Sequence, residues 1–233
     1  MAEDTQMRLG GISSMATRLV LAELAAAYRE RSGVVVDIES VGGVDAAKRV
    51  AAGEPFDVVL LASDAIDQLE AAGHVVAGSR VDLFRSGVAV AIRSGAPAPD
   101  IASEEALKRA VLAARSISLS TGPSGVALAK LFQRWGIAGD IAPRMVQAPP
   151  GVPVGTLVAA GEVELGFQQW SELMHLEGIQ VLGALPEPVK IVTTFSGAVC
   201  AASTQGAAVR DLLQYFASSG VEETKRRHGM EPA

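Results

Sequence analysis

The chain has 233 residues, about half of them apolar, enough to bury one large core or two modest ones, which excludes a disordered chain. Its 26 acidic against 20 basic residues give a formal charge of −6, and that repulsion argues against contact with a phosphate backbone, so no nucleic-acid partner is expected. Cys200 is the only cysteine, and His74, His175 and His228 stand far apart outside any HExxH-type pattern. An intrachain disulfide and a CxxC clip are therefore excluded, and no metal site is expected.

Residues 1–14 carry neither the basic start nor the apolar stretch of an export signal. The chain as written is expected to stay in the cytoplasm, or to be periplasmic if an upstream leader has been removed. No apolar run reaches the roughly 20 residues that span a bilayer, so membrane insertion is not expected.

In chain order, residues 7–12 read as a strand and 16–32 as a helix stopped by Gly33, with Leu21, Leu24 and Tyr28 in its apolar pattern. Strand 34–39, helix 44–52, strand 57–62 and helix 64–72 follow, the helices stopped by Gly53 and Gly73. This βαβαβα order predicts a parallel sheet covered on both faces. After an apolar strand at 88–93 and the Gly95 to Pro99 punctuation, a second series begins. Helix 104–114, strand 116–120, helix 124–135, short helix 153–160 and strand 164–167 compose it. A long late strand at 189–202 and a helical tail at 210–227 then return the chain. The expected fold is α/β with two lobes, one of residues 1–90 and 195–233, the other of 91–194, and a ligand cleft between them.

Three turns after strands are rich in small residues: Gly10 to Met15, Ser40 to Gly43, and Ser120 to Gly125. In an open parallel sheet such turns gather at the carboxyl ends of the strands, where ligands bind, and each presents the free N–H groups of a helix start. Ser, Thr and Gly before helices are also ordinary caps; the coincidence of three favours an anion site containing Ser13, Ser14, Gly43, Ser124 and Gly125. No turn continues into a P-loop and no GxGxxG is present, so no nucleotide cofactor is expected. No GxSxG elbow exposes a serine for hydrolysis.

Gln168 and Gln169 end a strand between Phe167 and Trp170 and would deliver donors and acceptors to the site's edge; surface glutamines at a helix start are the alternative. Arg85, at the handover between the lobes, could pair bidentately with a carboxylate, or be a plain surface arginine.

Residues 21–33, the run 44–59 containing AAGEPFDVV, Pro123-Ser124-Gly125 and residues 158–166 resemble, in order along nearly the whole chain, the molybdate-binding proteins of ABC importers. The resemblance implies the type II periplasmic-binding fold, a solute-binding role for a small anion and, if the chain is exported, an ABC importer as partner. The serine that the family places before its first helix falls at Ala16, with Ser13 and Ser14 within a turn of it. Its second serine falls at Gly43, and its closing tyrosine at or near Gln169.

FRSG at 84–87 and GFQQWSEL at 166–173 are more similar to a divergent branch that includes aconitate isomerase-like proteins. That branch implies the alternative function, isomerisation of a small polycarboxylate in the same site. Such chemistry needs a base with a tuned pKa, and Glu172 and His175 are the nearest candidates.

Overall fold

The structure, a computed structural model, describes residues 6–149 and 152–233. The chain divides into two compact units, the first running up to Arg85 and resuming at Thr194, the second Ser86–Thr193.

In the first unit, β1 (Arg8–Ser14), α1 (Arg18–Ser32), β2 (Val35–Val41), α2 (Gly43–Ala51), β3 (Val58–Ala62) and α3 (Ser63–Ala71) alternate before β4 (Val81–Arg93), which carries the chain into the second unit. β1 lies parallel to both β2 and β3. Side chains alternate across this sheet. Leu9, Val58 and Leu60 face a core with α1, while Ile12, Val59 and Leu61 face α2 and α3. Burial on both faces is why β3 reads as a continuous apolar run. α1 stops where Gly33 takes a left-handed backbone, φ 75°, which a residue without a β-carbon adopts without strain.

The second unit begins its own series with α4 (Glu104–Ala113), capped by Ser103, whose Oγ accepts from the Ala106 N–H at 3.1 Å. It continues through β5 (Ile117–Leu119), α5 (Pro123–Arg134), α6 (Ala138–Ile141), α7 (Val154–Ala160), β6 (Leu165–Gln169), α8 (Trp170–Leu173) and β7 (Ile179–Ala184). β6 pairs parallel with β5 and antiparallel with β4; β7 pairs antiparallel with β4. Phe132 and Phe167 meet edge to face in the core of this unit.

β8 (Val192–Val199) brings the chain back to the first unit antiparallel to β3, and α9 (Gly206–Ala217), α10 (Glu222–Arg227) and β9 (Glu231–Pro232) complete it. The helical tail expected at 210–227 is two helices, because Ser218 is extended (φ −68°, ψ 154°) and opens a turn at Ser219 and Gly220. The late strand is shorter than 189–202, since Pro186 and Pro188 shape a separate turn before it. β4 starts earlier than 88, and its first half was masked in the sequence by Asp82 and Arg85. Asp82 accepts from Ser196 Oγ at 2.6 Å and pairs with Arg80. Among the described residues no helix is long and apolar enough to cross a membrane.

Candidate anion-binding site

At the carboxyl ends of β1 and β2, pairing in register sets Ser13 beside Ser40, and their hydroxyl oxygens are 2.8 Å apart. Ser13 is therefore a strand-to-strand tie. Ser14, one residue on, is 8% exposed and its Oγ has no hydrogen-bond partner among the described residues. Its carbonyl accepts from Thr17 Oγ1 at 3.0 Å, which fixes the turn into α1. A β-carbon built on Gly43 would stand 3.7 Å from Ser14 Cβ, so the first residue of α2 lies against the Ser14 side chain. Gly42 caps α2 without a side chain, leaving the N–H groups of its first turn without intrahelical partners. An orphan buried hydroxyl beside unpaired helix-start donors is the arrangement an oxygen-bearing anion satisfies. Asp45, exposed in the same first turn, is the one carboxylate on that turn.

At the corresponding edge of the second unit, β5 and β6 run parallel, so the starts of α5 and α8 lie at the same edge of their sheet. Ser124 is buried, and its hydroxyl is 2.9 Å from that of Ser120. A β-carbon on Gly125 would overlap the carbonyl oxygen of Ser120. Glycine is thus required for the β5 end to fold back onto α5. Pro123 occupies the first helical position, where its missing N–H costs nothing.

Gln168 and Gln169 are both buried and, as neighbours on a strand, point to opposite faces. Gln168 bridges two helices: its Oε1 accepts from the Gly155 N–H at 3.2 Å, capping α7, and its Nε2 donates to Glu172 Oε1 at 2.8 Å. Gln169 Nε2 donates to Thr193 Oγ1 at 2.7 Å, while its Oε1 is buried without a partner among the described residues, as is the hydroxyl of Ser171. Burial pushes the Glu172 carboxyl up to about 7, against the smaller opposing effect of the Gln168 hydrogen bond.

Ser13, Ser14 and Gly43 are therefore brought together, as are Ser124 and Gly125. Gln168 and Gln169 share a strand but serve different neighbours. Arg85 is exposed on β4, opposite Glu231, and its Nε donates to the Pro232 carbonyl at 3.0 Å. That contact holds the C-terminal strand in place. Thr193 and Gly155 carry no local sequence signal, because they meet the glutamines across 24 and 13 residues. Ser40 and Ser120 were visible only as members of small-residue turns.

A family model described as bacterial extracellular solute-binding protein matches residues 11–231. An aconitate isomerase from a Pseudomonas species is 40% identical over 234 residues, covering 98% of this chain and 87% of that protein. The periplasmic molybdate-binding protein of Azotobacter vinelandii superposes with a TM-score of 0.78 at 18% identity, covering 95% of this chain and 98% of that one. The sulfate-binding protein SubI of Mycobacterium tuberculosis gives 0.77 at 18% identity, over 97% and 87% of the two chains. The fold is that of the periplasmic binding proteins, and the chain belongs to the bacterial extracellular solute-binding protein family.

Proposed function

We propose that this chain binds a small oxygen-bearing anion, with a polycarboxylate of the aconitate type as its ligand ahead of a tetrahedral oxyanion. The observation that carries the reading is the buried Ser14 hydroxyl, unpartnered among the described residues, on a side chain set against the first residue of α2. Burying a hydroxyl without a partner costs about 1–3 kcal/mol, which a bound anion offsets by accepting its proton. The helix start adds roughly 0.3–2 kcal/mol for an anion. Ser124, Gly125, Gln168 and Gln169 lie at an edge of the second unit's own sheet. Arg85 is the candidate cation for a carboxylate: its Nε is anchored by Pro232, and its two terminal nitrogens make no hydrogen bond among the described residues. Preference for a carboxylate rests on the 40% identical isomerase; the molybdate- and sulfate-binding structures resemble this chain at fold level.

Membership of an extracellular family supports a location outside the cytoplasm, after removal of a leader, with an ABC importer as the partner that receives the ligand. Cell fractionation of the native gene product tests that placement. Recovery in the cytoplasm would overturn it.

A second reading is isomerisation of the bound polycarboxylate. The observation favouring it is a carboxyl poised near neutrality, Glu172, in a chain 40% identical to an aconitate isomerase. A thermal-shift screen of cis- and trans-aconitate, citrate, molybdate, tungstate and sulfate tests the binding function. A ligand at a hundred times its Kd adds about 2.7 kcal/mol of stability. Aconitate or citrate should raise the melting temperature; a response to molybdate or tungstate alone would reverse the ligand preference, and none at all would overturn the proposal.

A further inference from the structure

We infer that Glu172 is the proton-transfer residue of this chain, moving one allylic proton of an unsaturated tricarboxylate. This inference rests on the isomerase reading above.

Placement comes first. Glu172 lies in α8, which follows β6 without a break, three residues after Gln169 and at the sheet edge where α5 also begins. Its neighbours in sequence Trp170, Leu173 and Leu176 pack into an apolar cluster, while Glu172 itself keeps partial access to solvent. Its described partner is a neutral amide. Other carboxylates of the molecule, such as Glu39, Glu54, Asp67, Asp82 and Glu164, are paired with arginine. Pairing with a cation would lock the group as a weak base; an amide partner does not.

Hydrogen bonding also fixes which oxygen works. Because Gln168 Oε1 takes the Gly155 N–H, its Nε2 must face Glu172, and it donates to Oε1. Oε1 is thus held as an acceptor, leaving Oε2 as the oxygen that takes and releases a proton. Burial and the Gln168 hydrogen bond account for the position of the carboxyl near 7, with no charged side chain contributing. A group titrating there is half ionised at neutral pH and serves as base and then as acid.

The step balances without a co-reactant. Ionised Glu172 removes a proton from the methylene carbon; the C–H bond breaks and its electron pair spreads into the adjacent double bond and carboxylate. Oε2–H then returns the proton to the far carbon of the three-carbon unit, the double bond shifts, and Glu172 is ionised again. The same residue serves both half-steps, because the two carbons are the ends of one allylic system.

The test uses the full chain and trans-aconitate, followed by proton NMR in D2O for isomerisation and deuterium uptake, with affinity measured by calorimetry. Wild type should isomerise and exchange, with a rate that rises through about pH 7. Glu172→Gln should bind within a few-fold of wild type while its rate falls by about 10²–10⁴-fold. Retained turnover in Glu172→Gln, or a loss found in His175→Ala instead, would overturn the role of Glu172 and leave the isomerase reading standing. Binding without any exchange in wild type would overturn both. If Glu172→Gln also loses binding, Glu172→Asp decides: restored binding with a shifted pH midpoint supports the assignment, and an unshifted midpoint contradicts it.

Discussion

The two units use the same wiring, a parallel strand running into a turn of small residues and then a helix start, yet they equip that edge differently. In the first unit the groups at the edge are hydroxyls and backbone amides, with Ser13 spent on Ser40 and Ser14 left open beside Gly43. In the second, the hydroxyls of Ser120 and Ser124 satisfy each other, and the unusual group is a carboxyl, Glu172, steered by Gln168. Neutral donors hold an anion equally well across the pH range, whereas a half-ionised carboxyl beside the ligand repels it or reacts with it. The edge of the first unit thus offers neutral donors for an anion, and the edge of the second a carboxyl that exchanges a proton.

Glycine substitution gives the largest expected contrast. Gly125→Ala drives a methyl group into a backbone carbonyl that cannot move cheaply, and it should destabilise the second unit by about 3 kcal/mol or more. Gly43→Ala meets only ordinary contact distances, so its stability should stay within about 0.5 kcal/mol of wild type while anion affinity falls. Urea denaturation of both variants checks this, and equal losses would erase the contrast.

Stability against pH comes next in size. The Glu172 carboxyl sits at about 7 in the fold against its ordinary 4.5, so the folded chain holds a proton that the unfolded chain has already lost across that window. Stability should fall as pH rises from about 4.5 to 7, by on the order of 3 kcal/mol from this group, and level off above. Glu172→Gln, which mimics the protonated acid, should flatten the fall. Parallel curves for the two proteins would place the titrating group elsewhere.

Arg85→Ala should weaken carboxylate binding by about 10- to 150-fold, since a charge-assisted hydrogen bond contributes roughly 1.5–3 kcal/mol. Arg85→Lys should recover part of that, because an ammonium lacks the planar fork. Unchanged affinity in Arg85→Ala would confine the residue to its contact with Pro232.

What the sequence disclosed followed from locality. Alternating apolar runs and glycine stops marked β1 to α3 because those signals lie within a few neighbouring residues. The first half of β4 and the two-residue strand β9 depend on each other across 147 residues. At the site, small-residue turns announced Ser13, Ser14, Gly43, Ser124 and Gly125, but nothing local distinguished the engaged hydroxyl of Ser13 from the open one of Ser14. That distinction is set by the register of β1 against β2. Likewise the sequence placed Gln168 and Gln169 together, and only the strand pleat showed that they face apart.

The smallest effect tests the central claim most directly. Calorimetric titration of trans-aconitate into wild type, Ser13→Ala and Ser14→Ala compares the engaged hydroxyl with the open one. Loss of one hydrogen bond to the anion, about 0.5–1.5 kcal/mol, should weaken Ser14→Ala by roughly 2- to 12-fold with no loss of folding stability. Ser13→Ala should instead lose about 1 kcal/mol of stability, through its broken tie to Ser40, and keep its affinity. Saturable binding in wild type that weakens in Ser14→Ala alone is the expected result. No binding, or equal affinity in all three proteins, would contradict an anion site built on Ser14 and the start of α2.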